Sequence, residues 1–378
     1  MRILLAPDAF KDCLSAPEVC RALEEGIVSA CATAGVLSVP LADGGEGTAS
    51  CFAAGCGGEL RLFLVTDAYF RKKTACLALS PDGETAVVEM AQASGIQGID
   101  KNQLQTRKAT TYGTGELIKA ALQLQPKRII VGLGGSATTD GGMGALSALG
   151  AQFLDKNGEP LSPIGENMVN VQKIVPPKSE DFAGVSFQFA CDVTNPFFGK
   201  NGAAAVFAPQ KGAGKDDVAL LDRGLRNLAK LYKTTFGRAV DALPGAGAAG
   251  GLCGGLYAFF GGEIVSGFSV LADACALETK LQNADLVITG EGRTDAQTAF
   301  GKLPARVCKL AQKYNIPCVL ISGDIASGFD AQKAGFAYAI RLKTPEIKTQ
   351  EAIKNAPALL SAAAQAVMKE GSLWKTGI

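Results

Sequence analysis

A strand, a glycine-rich loop and a helix follow one another in Arg128-Ile-Ile-Val-Gly-Leu-Gly-Gly-Ser-Ala-Thr-Thr-Asp-Gly-Gly142 and the run Met143–Leu149. The β-branched residues predict a buried strand, and the residues after Gly142 predict a helix. In such a unit glycines permit positive φ, successive backbone N–H groups form a concave anion site, and the helix start adds partial positive charge. The stretch therefore predicts an α/β fold that binds phosphate.

The loop itself supplies the candidate ligands. Gly134 and Gly135 allow the backbone to approach an anion, and Ser136 and Thr138 can donate hydrogen bonds to phosphate oxygens. Asp140 is a candidate ligand for Mg²⁺. The alternative is a tight structural turn capped by a hydroxyl side chain, and the pattern favours the anion site over it.

Outside this stretch, short apolar runs alternate with helical ones at both ends of the chain. Such runs, with Gly, Pro or Asp close by, are typical of buried parallel strands. They are Ile3–Ala6, Val36–Leu41 and Ala86–Met90 early, and Leu286–Thr289, Cys318–Ser322 and Tyr338–Leu342 late. The pattern predicts a Rossmann/flavodoxin-like doubly wound parallel sheet built from both termini, with a second α/β domain inserted. We expect residues 1–91 and 280–378 in the first domain and 92–279 in the second, with the active site in a cleft at strand carboxyl ends.

Composition restricts the function further. The 378 residues are 47% apolar with a net charge of +1, which suits a globular protein and gives no reason to expect nucleic acid or an anionic membrane as partner. Histidine is absent, which excludes Ser-His-Asp and Cys-His catalysis and His-bound metals. No signal peptide or membrane span is expected, and the eleven scattered cysteines, none in a C-x-x-C pair, suit the reducing cytoplasm.

Carboxylates follow several of the predicted strands. Asp8 and Asp43 come after the first two, and Glu291 and Asp295 follow a late one. Because parallel strands end at one edge, we expect these loops to converge and to supply Mg²⁺ ligands or a general base. Lys11 and Arg293 are the candidate counter-charges for phosphate or for a substrate carboxylate. Each carboxylate alone is also typical of a turn or a helix cap.

Three further segments place polar groups in loops. Asp192 and Asn195 follow the apolar run Val185–Ala190 and can grip hydroxyls, with Asp192 as a candidate base and an Asx turn as the equal alternative. Lys211 suits phosphate charge, although a solvated surface lysine is the simpler interpretation. Ser15 starts a capping box with Glu18, so its role in binding substrate is secondary.

Two nucleotide motifs can be judged directly. No segment matches G-x-x-x-x-G-K-[ST], so a Walker-type NTPase is excluded. Gly245, Gly247 and Gly250 match G-x-G-x-x-G, but the residues before them are too short and broken for the strand that a dinucleotide site requires. This cluster is as consistent with close helix packing as with a second phosphate loop.

Taken together, these stretches resemble the bacterial glycerate kinase family. The matching blocks run from residue 6 to residue 293: Ala6-Pro-Asp-x-Phe-Lys-x-x-Leu-Ser-Ala16, Pro40-Leu-Ala-Asp-Gly-Gly-Glu-Gly-Thr48, Gly132–Gly142, Cys191-Asp-Val-Thr-Asn-Pro196, Ala208-Pro-Gln-Lys-Gly212, Pro244–Gly251 and Ile288-Thr-Gly-Glu-Gly-Arg293. The resemblance implies Mg²⁺-dependent phosphorylation of D-glycerate by ATP, and a flavodoxin-like domain with an inserted domain.

The resemblance does not settle the catalytic residues, but the residues selected above give a hypothetical site. The residues expected to bind ATP phosphates are Gly134, Gly135, Ser136, Thr138, Gly290 and Arg293, and those expected to bind substrate are Asp8, Asn195, Lys211 and Ser15. Asp140 and Glu291 are the expected metal ligands. Asp192 is the first candidate for the catalytic base, with Lys11 and Asp43 as the other catalytic residues.

Alternatives stay open at this point. A GHMP-type kinase shares only the glycine–serine loop Gly132–Ala137, a nicotinamide dehydrogenase would use Gly245–Gly250, and a non-catalytic sugar-acid sensor would need no turnover. The sequence leaves open which hydroxyl of glycerate is phosphorylated, although the resemblance favours the 2-hydroxyl. It also leaves open whether the apolar C-terminal helix Ala356–Met368 covers the sheet or a second copy in a homodimer.

Overall fold

A computed structural model describes residues 1–177, 182–299 and 301–369. The strands in chain order are β1 (Arg2–Leu5), β2 (Gly35–Ser38), β3 (Glu59–Thr66), β4 (Lys72–Leu79), β5 (Thr85–Glu89), β6 (Arg128–Gly132), β7 (Gln152–Leu154), β8 (Lys173–Val175), β9 (Ser186–Ala190), β10 (Glu263–Val265), β11 (Leu286–Thr294), β12 (Cys318–Ile325) and β13 (Tyr338–Arg341). The helices are α1 (Ala16–Ala30), α2 (Thr48–Cys56), α3 (Met90–Ser94), α4 (Tyr112–Gln123), α5 (Met143–Ala148), α6 (Ala203–Phe207), α7 (Lys215–Phe236), α8 (Leu252–Phe260), α9 (Gly267–Ala274), α10 (Leu277–Gln282), α11 (Ala296–Ala299), α12 (Leu303–Lys313), α13 (Thr349–Lys354) and α14 (Ala356–Lys369).

The chain divides into two compact units. Unit 1 comprises residues 1–42, 50–58 and 268–378, and unit 2 comprises residues 43–49 and 59–267. The α/β class and the insertion of one unit into the sequence of the other follow the prediction from the strand pattern. The boundaries differ from the predicted ones, since unit 2 takes over near residue 59 and ends at 267.

Unit 1 is built on a five-stranded parallel sheet with the order β13-β12-β11-β1-β2. Counted along the chain within this unit, the order is 2-1-3-4-5, the flavodoxin-like arrangement of a doubly wound sheet. Helices α1 and α14 pack closely, because a Cβ on Gly26 would lie 2.1 Å from the carbonyl oxygen of Ser361. Their buried residues join those of β1, β11 and β12 in one apolar core.

Unit 2 is built on a six-stranded sheet with the order β10-β9-β6-β5-β4-β3. β5, β6, β9 and β10 are parallel, whereas β3 and β4 form an antiparallel hairpin that pairs with β5. The run Ala86–Met90, predicted for the terminal domain, therefore forms β5 of the other sheet. An apolar run of this kind predicts a buried strand but carries no information about which sheet it joins.

Three facts about the described residues bear on the class of function. None of their helices is long and apolar enough to cross a membrane. Their Cys, Asp and Glu side chains form no group of three or more that could hold a metal ion. All eleven cysteines are free thiols.

Candidate active site

The loops after β6 and β9 border a pocket of about 460 Å³ in unit 2. β6 and β9 are neighbouring parallel strands, so their carboxyl ends bring the two loops together. The residues that line the pocket are Asp43, Gly44, Gly45, Ile96, Leu133, Gly134, Gly135, Ser136, Ala190, Cys191, Asp192, Val193, Phe207, Gln210, Lys211, Ala248 and Ala249. Six predicted site residues are thus brought together: Asp43, Gly134, Gly135, Ser136, Asp192 and Lys211.

Lys211 supplies the positive charge of this pocket. It ends the 3₁₀ turn Pro209–Lys211 and is only 2% exposed, whereas the sequence favoured a solvated surface lysine. Its Nζ donates to Ser136 Oγ at 2.7 Å and to the carbonyl oxygen of Thr138 at 2.5 Å. Burial lowers the pKa of Lys211 to about 7, and the nearby charge of Asp140 opposes that shift. An anion bound beside this lysine would raise its pKa again and so favour the charged ammonium form.

The loop after β6 adds backbone donors next to Lys211. Among the described residues, no acceptor is found for the N–H groups of Gly135 and Ser136, while the Gly135 carbonyl accepts from Ile96 N at 2.8 Å. Gly135 has a φ of 73°, a conformation that glycine adopts without strain. Backbone N–H donors, a hydroxyl group and an ammonium group therefore lie together here, as the predicted role of Gly135 and Ser136 in binding an anion requires. Thr138 contributes its backbone carbonyl, and its buried Oγ1 has no partner within the described chain.

The segment Asp43–Ala49 packs on the same loop. Gly134 N donates to the carbonyl oxygen of Gly44 at 3.1 Å, and a Cβ on Gly134 would lie 2.4 Å from the Cα of Gly45. Asp43 Oδ1 accepts from Gly45 N at 3.1 Å, and the residue is exposed on the pocket wall. The close backbone contact therefore fixes the position of the Asp43 carboxylate.

Glu89 holds the segment Asp43–Ala49 through hydrogen bonds and was not selected from the sequence. It ends β5 opposite Gly132 of β6, is fully buried, and accepts N–H bonds from Gly47 and Ala49 at 3.1 and 3.2 Å. Burial raises its pKa to about 7, against the effect of those hydrogen bonds, and the charge of Glu46 adds to the rise. The available signal was an acidic residue at the end of an otherwise apolar strand, which burial makes costly unless it is hydrogen-bonded.

A change of Glu89→Gln is expected to alter the dependence of stability on pH. A carboxyl whose pKa is raised on folding stabilises the fold below its unfolded pKa and loses that contribution as pH rises through about 7. The amide retains an acceptor and does not titrate. As pH rises from 4.5 to 8, the free energy of unfolding of the variant should therefore increase relative to that of wild type by roughly 1–3 kcal/mol. Urea unfolding at several pH values measures this. Glu159→Gln, at an exposed position, is the control; a constant difference between Glu89→Gln and wild type would contradict the assignment.

Asp140, predicted as a Mg²⁺ ligand, has a different environment. It is fully buried, and its carboxylate accepts from Thr111 N and Oγ1 at 2.7 and 2.8 Å and from the N–H groups of Gly142 and Gly144, both at 3.1 Å. Those donors include the start of α5, so the partial positive charge expected at this helix end is already neutralised inside the protein. This placement does not fit a metal ligand, and Asp140 is a structural cap of the loop.

The second glycine cluster packs against the first. The N–H of Gly141 donates to the carbonyl oxygen of Gly250 at 3.1 Å, and a Cβ on Gly250 would lie 2.1 Å from the carbonyl oxygen of Thr138. A Cβ on Gly255 would lie 2.3 Å from the Gly141 carbonyl oxygen. These contacts explain the glycines by close backbone packing, which was one of the two interpretations left open.

Asp192 and Asn195 follow β9, as predicted, but differ in placement. Asp192 is exposed and lines the pocket. Asn195 lies outside the lining; its Nδ2 donates to the carbonyl oxygen of Asn201 at 2.9 Å, and its own carbonyl accepts from Gly247 N at 3.0 Å. Asn195 therefore holds the loop together.

The remaining predicted residues belong to unit 1. Asp8 N donates to the carbonyl oxygen of Gly290 at 2.9 Å, so the segment after β1 lies beside the middle of β11. Lys11 and Arg293 are exposed. The hydroxyl of Ser15 donates to Glu18 Oε2 at 2.6 Å within the capping box of α1, which accounts for its presence.

Glu291 is a buried acid of unit 1. Its Oε1 accepts from the hydroxyls of Thr298 and Thr294 at 2.6 and 3.0 Å, and its Oε2 lies 3.8 Å from Lys302 Nζ. Burial raises its pKa, and the bond from Thr298 and the charge of Lys302 oppose the rise. The sequence analysis did not select Lys302, whose ammonium group also lies 3.4 Å from Asp295 Oδ1.

Comparison with known proteins gives a consistent result. Residues 3–371 match the sequence model described as the glycerate kinase family. The chain is 38% identical to a protein named glycerate kinase from Halalkalibacterium halodurans over 96% of both chains, and 41% identical to one named glycerate 2-kinase from Escherichia coli over 86% of both. The crystal structure of a putative glycerate kinase 2 from Salmonella typhimurium superimposes with a TM-score of 0.88 at 38% identity, covering 98% of both chains.

Proposed function

Because this chain belongs to the glycerate kinase family, we propose that it transfers the γ-phosphoryl group of ATP to the 2-hydroxyl of D-glycerate. The observation that carries the proposal is the Lys211 ammonium group, buried with Ser136 in a pocket that two strand-end aspartates also line. Anionic substrates need such a charge, and an attacking hydroxyl needs a nearby carboxylate. The choice of the 2-hydroxyl is supported by the name of the Escherichia coli relative.

In the proposed mechanism Lys211, Ser136 and the N–H groups of Gly135 and Ser136 bind the anionic oxygens of the reactants. These donors are fixed before substrate arrives, so they stabilise charge on the transferring phosphoryl group with little reorganisation. Asp192 orients the attacking hydroxyl of glycerate and accepts its proton. Phosphoryl transfer depends mainly on positioning and charge stabilisation of this kind, which is compatible with the absence of histidine.

Mg²⁺ is the proposed companion of ATP. The donor set fits it, because Asp43 presents an exposed carboxylate on the pocket wall, and Mg²⁺ in kinases binds one or two carboxylates together with phosphate oxygens. The ion would neutralise phosphate charge there. Lys11, Arg293 and Glu291 of unit 1 stay proposed contributors to phosphate and metal binding.

The direct test is a product assignment. We expect incubation with Mg·ATP and D-glycerate to consume both and to give 2-phosphoglycerate, identified by ³¹P NMR against authentic 2- and 3-phosphoglycerate. L-Glycerate and a reaction without Mg²⁺ are the controls. Formation of 3-phosphoglycerate would contradict the regiochemistry alone, whereas no transfer to D-glycerate would contradict the proposed function.

A further inference from the structure

Two cysteine thiols are in contact at the carboxyl ends of α2 and α9, and neither lines the pocket of the candidate active site. Cys56 is the last residue of α2, and Cys275 directly follows α9. Their sulfur atoms lie 2.9 Å apart. Because the Cys56 thiol donates to the carbonyl oxygen of Ala274 at 3.2 Å, the Cys275 thiol is the donor in the contact between the sulfurs. The sulfurs need to approach by only about 1 Å to reach the length of a disulfide bond, ~2.05 Å.

The packing around the pair holds the two sulfurs in this position. A Cβ on Gly55 would lie 2.8 Å from the Cys275 Sγ, so the absence of a side chain at Gly55 makes room for the sulfur against α2. Lys280 of α10 donates from its Nζ to the carbonyl oxygen of Gly55 at 2.7 Å, which ties α10 to the same turn of α2. The contact between the thiols therefore belongs to a packed part of unit 1, which contains both cysteines.

The two thiols differ in their access to solvent. Cys56 is partly exposed and precedes the exposed Gly57, whereas Cys275 is only 2% exposed. The hydrogen bond to Cys56 and burial raise the pKa of Cys275, and the charge of Lys280 opposes that rise. A reagent in solution therefore meets the Cys56 sulfur first, and the Cys275 sulfur lies directly behind it.

We propose that Cys56 and Cys275 form a reversible redox site, and that a low-molecular-weight disulfide, RSSR, converts the two thiols to a protein disulfide. In the first step the Cys56 thiolate attacks one sulfur of RSSR, a mixed disulfide forms at Cys56, and RS⁻ leaves. In the second step the Cys275 thiolate attacks the Cys56 sulfur, the bond between the two cysteines forms, and the second RS⁻ leaves. The two thiol protons end on the leaving groups, so RSSR is reduced by two electrons to two RSH.

The second step is favoured by geometry. Burial keeps the thiolate content of Cys275 low, which by itself slows attack. The attack is intramolecular, however, and a reacting group held in contact with its target has a very high effective concentration. The 2.9 Å contact therefore lets Cys275 displace RS⁻ from Cys56 before a second molecule from solution does so.

Cys31 provides a comparison within the same chain. It is also partly exposed, but its Sγ lies 3.5 Å from the hydroxyl oxygen of Thr33. That hydroxyl lowers the pKa of Cys31, so this thiol reacts readily with RSSR. A hydroxyl cannot displace RS⁻ from sulfur to form a disulfide. Cys31 should therefore stop at the mixed disulfide, whereas Cys56 should proceed to the bond with Cys275.

A disulfide at this site would join distant parts of the chain. Cys56 and Cys275 are 219 positions apart in the sequence, and the residues between them include 59–267, the larger segment of unit 2. A cross-link restricts the unfolded chain more strongly when the loop that it closes is long. Oxidation should therefore stabilise the fold, and a small dithiol should reverse the effect by restoring both thiols.

The first test uses reduced, full-length protein and glutathione disulfide. After acid quenching and alkylation, chymotryptic cleavage at Phe52 and Phe268 separates Cys56 from Cys51 and Cys275 from Cys253. We expect mass spectrometry to find the Cys56 and Cys275 peptides joined, two hydrogens lighter than their sum, and separated by dithiothreitol. Recovery of both cysteines as alkylated thiols, or of Cys56 as a lasting glutathione adduct beside alkylated Cys275, would overturn the proposal.

Thermal unfolding is the second test. The midpoint for oxidised wild type should lie about 5 °C or more above that for the reduced protein. Cys56→Ser, at the partly exposed position, cannot form the bond and should show the same midpoint before and after treatment. Cys31→Ser is the matched control and should shift as wild type does. Equal midpoints for oxidised and reduced wild type, or a full shift in Cys56→Ser, would contradict the stabilising role. Neither test uses enzyme activity, so both are independent of the proposed function.

Discussion

Replacement of the buried ammonium group in Lys211→Met is expected to lower kcat/KM for phosphoryl transfer by about 10³-fold. Removal of a single preorganised donor at a developing negative charge typically costs 10²–10³-fold, and protonated Lys211 supplies a charge as well as a donor. Methionine has a similar length and no charge, so Ser136 and Thr138 lose a donor while the packing is preserved. Steady-state kinetics with Mg·ATP and D-glycerate measure the effect.

Stability separates this catalytic role from a structural one. The pKa of Lys211 is lowered on folding to about 7, so its contribution to stability is present above about 10.5 and is lost as pH falls through 7. The methionine variant lacks this titration, so its free energy of unfolding should increase relative to that of wild type as pH falls from 10.5 to 7. Lys200→Met, at an exposed position between β9 and Lys211, should match wild type in both measurements. A folded Lys211→Met variant with wild-type kcat/KM would refute the role of Lys211.

The second large effect is expected at the proposed base. Asp192→Asn should lower kcat by 10²-fold or more while KM for ATP changes little, because general-base catalysis contributes about 10²–10⁴-fold. The amide is isosteric and keeps an acceptor oxygen, so the loop after β9 should retain its conformation. Turnover within about tenfold of wild type, equivalent to about 1.4 kcal/mol, would show that Asp192 is not the base.

Two comparisons sharpen that experiment. Asp43→Asn tests the other pocket carboxylate. We expect this change to raise the Mg²⁺ concentration needed for half-maximal rate and to leave kcat at saturating Mg²⁺ unchanged. Asp241→Asn, at an exposed position of unit 2 outside the pocket lining, should leave all kinetic constants unchanged. If Asp43→Asn instead loses kcat at saturating Mg²⁺ and Asp192→Asn does not, the two roles must be exchanged.

Local signals in the sequence predicted the elements but not all of the long-range contacts. The stretch Arg128–Gly142 and the run after it form β6, the loop and α5 because strand and helix periodicity are local properties. The run Ala86–Met90 was correctly a strand but was given to the other domain, since pairing partners distant in sequence decide the sheet. The family resemblance and the α/β class needed only local blocks and are confirmed.

The site shows the same limit more strongly. Asp140 looks like a metal ligand when only the loop is considered, but Thr111, nearly thirty residues earlier, occupies its carboxylate. Lys211 looks like a surface lysine for the same reason, and its burial depends on Ser136 and Thr138. Glu89 gave no motif at all, because its partners are backbone N–H groups. A sequence pattern records side chains, whereas these three environments depend on the distant chain that surrounds them.

The contact between Gly44–Gly45 and Gly134 has a consequence for protein engineering. The two segments meet through main-chain atoms alone, since a Cβ on Gly134 would lie 2.4 Å from the Cα of Gly45. Directed evolution of acceptor preference therefore has no variable side chain to work on at this junction. Diversity is better introduced at lining positions such as Val193, Phe207 and Gln210, where side chains of different size can reshape the cavity while the backbone frame keeps its geometry.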